Sequence, residues 1–283
     1  MYKYHNHNTT YFNKITLLVK NLDVQTDFYQ NILGFTLIFK TDSKSILSSN
    51  GKDELIELIT HKDVIKHEET LGLYHVAFLF PNELALSHVL KRLVNARYRL
   101  SGASNHGVSH ALYLNDPEGN GIELYFDLDD KDWPRSHGEL EMYTRALDVD
   151  HLYQLSINEP IKPIDTNTII GHLHFYVKDL ESAKHFYHDI LGFDIIQNYY
   201  NQALFVSSKG YHHHLGLNIW NQKASFKQPS QAGLQSYQIS ISLREYELLK
   251  NRLSNNAIPL NESSIPPHIK DILGQTIYFD IKA

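Results

Sequence analysis

The residues best suited to chemistry crowd into one stretch, Gly102 to Tyr125, which reads GASNHGVSHALYLNDPEGNGIELY. It carries the imidazoles of His106 and His110, the phenol of Tyr113, an Asp-Pro-Glu-Gly-Asn turn and the carboxylate of Glu123. Asp116-Pro117 followed by Gly119-Asn120-Gly121 is turn chemistry, and the flanking runs His110 to Leu114 and Ile122 to Phe126 have strand character, so the stretch predicts a β-hairpin. Alternate residues of a strand share a face, which sets Glu123 opposite to Ile122 and Leu124. On the core side its carboxylate needs a partner, and a metal ion is one of the few adequate ones; on the solvent side it needs none. Spacing alone leaves both readings open.

Composition narrows the chemistry. The chain has 283 residues, 42% hydrophobic and 20% charged, which suits a globular protein of two ordinary domains or one large one. A net charge of -6 and a pI near 6.3 lack the basic excess of a phosphate-binding face, so no nucleic-acid partner is expected. No apolar run approaches the roughly 20 residues of a membrane span, and Met1 to Tyr11 has no signal-peptide core; the expectation is a cytoplasmic protein without membrane contact. With no cysteine, thiolate ligands and disulfides are excluded, and any metal must be held by His, Asp or Glu. Of the 18 histidines, His5 and His7 lie in a terminal tail expected to be disordered.

The elements that must position these groups are repeated. Lys14 to Ile38 opens with a strand-like run and passes into a helical pattern, Val24, Phe28 and Ile32, closed by Gly34 where a left-handed cap is expected. A shift of 158 lays this segment on His172 to Ile196, with nine of the 17 positions from 19 to 35 identical, among them Phe28-Tyr29 on Phe186-Tyr187. A shift of 155 lays Asp116, Gly119 and Ile122 on Asp271, Gly274 and Ile277. The duplication predicts an α+β chain of four βαβββ modules, roughly 12–62, 70–128, 168–222 and 233–283. Modules one and two then span 12–128 and modules three and four 168–283, joined by a connector, 129–167, of which Met142 to Leu155 is expected to be helical.

Four such modules, with FYxxILGF helix ends and a YxxDPxGNxxE hairpin, resemble the vicinal oxygen chelate superfamily, whose modules pair into incomplete β-barrels. Within it the chain is similar to the type I extradiol ring-cleavage dioxygenases. The module helix is shared with glyoxalases and antibiotic-resistance proteins and speaks for fold alone. The hairpin speaks for function: His106, Leu112-Tyr113, Asp116-Pro117, Gly119 and Glu123 follow the dioxygenase spacing, although Ser104 departs from it. The resemblance implies ferrous iron, with Mn(II) an alternative and Zn(II) a substitute acquired during aerobic purification, held by two imidazoles and a carboxylate so that a catecholate and dioxygen find open positions. Matched position by position, the ligands are His75, Glu123 and His172. Lys14 stands where His172 does in the repeat, and Tyr237 and Tyr278 fall at the places of His75 and Glu123. His213, in the run His212-His213-His214, matches the catalytic histidine; His106 matches a histidine that assists it. Tyr113 matches the substrate-binding tyrosine, and His110 is expected to line the same pocket. A small aromatic substrate, dioxygen and a homo-oligomeric assembly complete what the resemblance implies.

The departure lies in module order. The family draws its three ligands from the C-terminal pair of modules, whereas here they fall in modules two and three. Either modules two and three share a barrel, with His75 and His172 within about 7 Å, or the iron has different ligands; the shared barrel is expected. Two rival readings remain. A glyoxalase-like metalloisomerase would add Glu57 to His75 and Glu123, against which Lys14 counts, since an ammonium is no ligand. A metal-free protein that sequesters an aromatic drug would need none of them.

Overall fold

In the computed structural model, which describes residues 2–282, the duplicated segments fold alike. Asp116 Oδ1 accepts the backbone N–H groups of Glu118 and Asn120, both at 2.9 Å, and Asp271 Oδ1 accepts those of Leu273 and Gln275 at 2.9 and 2.8 Å. Gly119 (φ 100°) and Gly274 (φ 82°) supply the left-handed residue that each turn requires. Both aspartates are buried, and a helix tyrosine of the preceding module donates to each, Tyr29 to Asp116 and Tyr187 to Asp271, at 3.3 Å.

The helices of modules one and three start under side-chain caps: Asn21 accepts from Val24 N–H and Asp179 from Ser182 N–H. Each is a short α-helix, Leu22–Asp27 or Leu180–Lys184, that widens into a π-helical turn, Phe28–Leu33 or His185–Ile190. The widening rotates the face that a four-residue spacing predicts. Val24 ends 46% exposed, while Tyr29 and Leu33 are fully buried. Gly34 closes the first helix at φ 95°, in the left-handed conformation its position predicts.

Sheet pairing crosses the sequence halves. Strand Gly72–Phe80, which opens module two, runs antiparallel to Ile169–Tyr176, which opens module three, at the centre of a nine-stranded sheet. Strand Tyr11–Leu18 of module one pairs with Gly233–Ser242 of module four inside a seven-stranded sheet. Modules two and three therefore share one curled sheet and modules one and four the other, an α+β architecture of two incomplete barrels. Within each half the tie is helical: Arg92 Nε donates to Ile32 O at 3.0 Å, and Arg252 Nε to Ile190 O at 2.6 Å. Alternation along Gly72–Phe80 sends Val76, Phe78 and Phe80 into the main core and leaves His75 and Ala77 on the other face.

Two expectations are corrected. The N-terminal tail is docked: His5 is buried with Nε2–H donating to Gly171 O at 2.8 Å, Tyr2 donates to Leu79 O at 3.2 Å, and Tyr4 stacks on Trp133 at 5.7 Å. Its aromatic residues give a short polar tail enough apolar surface to bind the sheet; His7 stays exposed. In the connector only Val149–Gln154 is α-helical, capped by Asp148. Before it, Arg145–Ala146 pairs with strand Gly102–Asn105 and draws residues 142–144 across the nine-stranded sheet.

Candidate metal centre

Strand alternation brings three side chains to one point. His75 and His172 come from the two central strands of the nine-stranded sheet, and Glu123 from strand Gly121–Asp127, in register with Ala77 on one side and Tyr113 on the other. Glu123 Oε2 lies 3.1 Å from His75 Nε2 and 3.3 Å from His172 Nε2, and the two nitrogens are 3.4 Å apart. All three residues are buried. Ligand atoms about 2.1 Å from one ion stand about 3.0 Å apart on an octahedral face and about 3.4 Å apart in a tetrahedron, so the triangle has the size of a metal's coordination face. Its charge also fits. Burial pushes the His172 imidazolium down to about 4, which leaves the ring neutral at neutral pH, and Glu123 has no lysine or arginine partner among the described residues. A divalent cation would supply the missing positive charge. His172 Nδ1 has no hydrogen-bond partner among the described residues; its ring is held by packing, 5.0 Å from the Tyr125 ring and 4.1 Å from that of His213.

The antiparallel register defines a pseudo-two-fold axis between the central strands. His172 pairs with Ala77 and His174 with His75, so His75 and His172 are equivalent, as are Ala77 and His174. Ala77 lies beside Glu123 and His174 beside Gly216, which makes Gly216 the counterpart of Glu123. A fourth ligand would come from that position, and it has no side chain. A Cβ on Gly216 would sit 2.8 Å from the His174 ring, which fills the space instead. Three candidate ligands remain, open toward a cavity of about 690 Å³ lined by Tyr74, Tyr113, Met142, Tyr176, Phe205 and Trp220, among others.

Around the triad, the sequence-predicted residues separate. His106 Nδ1–H donates to Tyr143 O at 2.9 Å, which leaves Nε2 to accept the Tyr113 hydroxyl at 2.7 Å, and both side chains line the cavity. Of the three consecutive histidines only His213 lines it. His212 reaches Asp127, and His214 is bound by Ser208 N–H at 3.1 Å and Tyr4 O at 3.0 Å. His110 does not join the pocket: it has the opposite strand parity to Tyr113, and its ring packs on Phe126, 3.9 Å from Glu83 of the neighbouring helix. Tyr237 is likewise one residue out of register, since Gly72 and Gly233, both at positive φ, align His75 with Ser236. Tyr278 does fall at the place of Glu123. Glu57 lies in the other sheet, where Lys14 Nζ is 3.1 Å from its carboxylate and Lys44 pairs with it too, so it is not a third partner for His75 and Glu123.

Sequence reasoning missed His174, which is buried 4.9 Å from the His75 ring and accepts from Asn218 Nδ2 at 3.0 Å. Its place two residues after His172 on one strand was the available signal. It also missed the connector wall, Met142 to Thr144, for which the local sequence carries none.

The family profile described as "Glyoxalase/Bleomycin resistance protein/Dioxygenase superfamily" matches residues 11–124 and 169–257. The chain belongs to this superfamily. A catechol-2,3-dioxygenase of Bacillus subtilis (strain 168) is 38% identical over 282 residues, which cover 97% of this chain and 99% of that protein. Among solved structures, a putative dioxygenase from Bacillus subtilis subsp. subtilis str. 168 superposes with a TM-score of 0.63 at 12% identity, over 97% of this chain and 86% of its own. Glyoxalase I from Zea mays reaches 0.58 at 15% identity, over 96% and 92%. The two structures share the superfamily's fold with this chain and do not discriminate between its chemistries.

Proposed function

We propose that this chain is an Fe(II)-dependent extradiol dioxygenase that opens a catechol or hydroquinone-like ring with dioxygen, beside the hydroxylated carbons. The observation that carries the reading is the three-ligand set His75, Glu123 and His172, with Gly216 at the fourth place and an aromatic-lined cavity in front. The end-to-end similarity to a protein named catechol-2,3-dioxygenase supports the same class of oxidoreductase. Bound by these residues, ferrous iron would supply an electron path between a chelated catecholate and dioxygen.

The chain's own groups would do the rest. Tyr74, Tyr176 and Trp220 offer aromatic surface against which a flat ring can pack. His213, against His172 and facing the cavity, is placed to take the proton of a substrate hydroxyl and return it to the product. The Tyr113 hydroxyl, aimed at His106 Nε2, presents its oxygen to the same space, where the pair can hold a substrate oxygen and exchange a proton with it.

An isomerase of the glyoxalase kind is disfavoured by Gly216 at the fourth position and by the engagement of Glu57 with two lysines. The test is an Fe(II)-loaded protein, prepared anaerobically and assayed with a panel of catechols and with methylglyoxal-glutathione hemithioacetal. Oxygen uptake with a yellow ring-opened product, at about one iron per chain, is expected. Hemithioacetal turnover without oxygen consumption would move the assignment to glyoxalase, and undiminished catechol turnover by His172→Ala would remove that residue from the mechanism.

A further inference from the structure

Strand Gly121–Asp127 carries more than the glutamate. Asp127 lies four residues beyond Glu123 and therefore on the same face of the sheet, at the far side of Tyr125. Its Oδ1 is 2.8 Å from His212 Nε2 and accepts the Tyr211 hydroxyl at 3.2 Å; that hydroxyl is itself 2.8 Å from the Tyr125 hydroxyl. On its other side, His212 Nδ1 lies 2.8 Å from His213 Nδ1. His212 is fully buried, so no water competes for either nitrogen.

The donor inventory allows one arrangement with both rings neutral. A carboxylate only accepts, so the nitrogen facing Asp127, His212 Nε2, carries the hydrogen. His212 Nδ1 is then bare, and the hydrogen it shares with His213 belongs to His213 Nδ1. The second nitrogen of His213 is left without a proton. Nothing else among the described residues hydrogen-bonds it, and His213 is the histidine of the run that lines the cavity. His214, the next ring, is bound by Ser208 N–H and Tyr4 O and takes no part.

We propose that Asp127, acting through His212, fixes His213 in the Nδ1–H tautomer and so presents a bare Nε2 to the substrate cavity. Asp127 and His212 are positioning residues: they touch no substrate, and they decide whether the cavity meets a proton acceptor or a donor. A ring that flipped to Nε2–H would face a substrate hydroxyl with a hydrogen of its own, and the first proton transfer would have no acceptor. The consequence for rate rests on the ring-cleavage reading; the tautomer does not.

The experiment pairs the two. Full-length protein with ¹⁵N-labelled histidine, loaded with diamagnetic Zn(II), gives distinct nitrogen resonances for the two tautomers, and His213 is assigned by difference from His213→Phe. Wild type is expected to show His213 as Nδ1–H. Asp127→Leu, which fills the volume without an acceptor, is expected to move the population toward Nε2–H. In the Fe(II) form the same variant should lower kcat by about 10²- to 10³-fold, with KM within about threefold. Asp127→Asn keeps a carbonyl acceptor and should recover most of the loss, whereas a purely structural role would make Leu and Asn alike. His212→Phe provides a second break in the chain if Asp127→Leu fails to fold. Wild-type His213 found as Nε2–H, or kcat and tautomer both unchanged in Asp127→Leu or His212→Phe, would overturn the proposal. If wild type turns over no catechol, the ring-cleavage reading fails, and the nitrogen spectrum still decides the tautomer.

Discussion

The two sheets of this chain use one module plan and give opposite answers to the same electrostatic problem. In the nine-stranded sheet, the paired central strands present His75 and His172 at equivalent places, with Glu123 and Gly216 on the strands beside them. In the seven-stranded sheet those four places hold Ser236, Lys14, Tyr278 and Glu57. Each sheet thus sets one carboxylate among these four places, and each of the two needs a cation. Glu57 has cations from the chain: Lys14 at 3.1 Å, bridging also to Glu54 at 2.5 Å, and Lys44. Glu123 has two imidazoles, and burial has lowered the pKa of His172 to about 4. A carboxylate in such a sheet is therefore no mark of a metal in itself. The mark is a carboxylate whose neighbours are ligand-type imidazoles, with no lysine or arginine beside it among the described residues.

Removing each carboxylate in turn puts that distinction to the largest test. Glu123→Ala should weaken metal binding by more than about 100-fold, beyond the usual effect of losing a hydrogen-bonding neighbour of a ligand, and abolish oxygen uptake. Glu57→Ala should leave both unchanged and cost about 1 kcal/mol or less, because its lysines can turn to solvent. Elemental analysis beside urea unfolding reads both outcomes. Stoichiometric iron retained in Glu123→Ala, or lost in Glu57→Ala, would mean that the sheets have been told apart wrongly.

The N-terminal tail, packed on the nine-stranded sheet through Leu79 and Gly171, gives a second and smaller contrast. Burial lowers the pKa of His5 from 6.5 to about 4. The unfolded chain therefore binds a proton near pH 6.5 that the folded chain refuses until about pH 4. His5 contributes its full stability above pH 6.5 and loses it as the pH falls toward 4, by about 2 kcal/mol at pH 5 and about 3 kcal/mol in all. His5→Gln keeps a donor to Gly171 O without the titration. Urea unfolding of the two proteins should diverge in pH dependence across this window. Parallel curves would mean that the tail is not part of the folded sheet.

How much of this was legible depended on whether the signal was local. The hairpin around Asp116, the cap at Gly34 and the module repeat could be read because turn chemistry and helix ends are written in a few adjacent residues. The pairing of modules two and three followed from chemistry, since His75, Glu123 and His172 have no common site otherwise. Register was harder. Placing Tyr237 instead of Ser236 at the counterpart of His75 was an error of one residue, and in a strand one residue reverses the face. His110 failed for the same reason, with its parity set by Tyr113. The buried tail and the Met142 to Thr144 wall were out of reach, because both depend on a distant surface that no neighbouring residue encodes.

The smallest expected effect tests why the nine-stranded sheet offers three candidate ligands and not four. At the two first-strand places, His174 and Thr16 are equivalent, and beside them stand Gly216 and Glu57. Each pair couples a large side chain with a small one: Thr16 Oγ1 donates to Glu57 Oε2 at 3.1 Å, whereas the His174 ring lies over the bare Gly216. Gly216 has no positive φ, so alanine fits its backbone, and the nearest atoms its Cβ meets are those of the His174 ring, at 2.8 Å. Gly216→Ala should cost about 1–3 kcal/mol by overpacking, and His174→Thr in the same chain should return much of it. The coupling, read from a double-mutant cycle of unfolding free energies, should be close to the cost of Gly216→Ala alone. Additive effects would mean that the ring does not hold that space and that the missing fourth ligand has another cause. With coupling established, Gly216→Glu combined with His174→Thr would set a second carboxylate at the counterpart of Glu123. Tighter zinc retention and lost oxygen uptake are then expected, because the added ligand takes a position that the substrate would otherwise use.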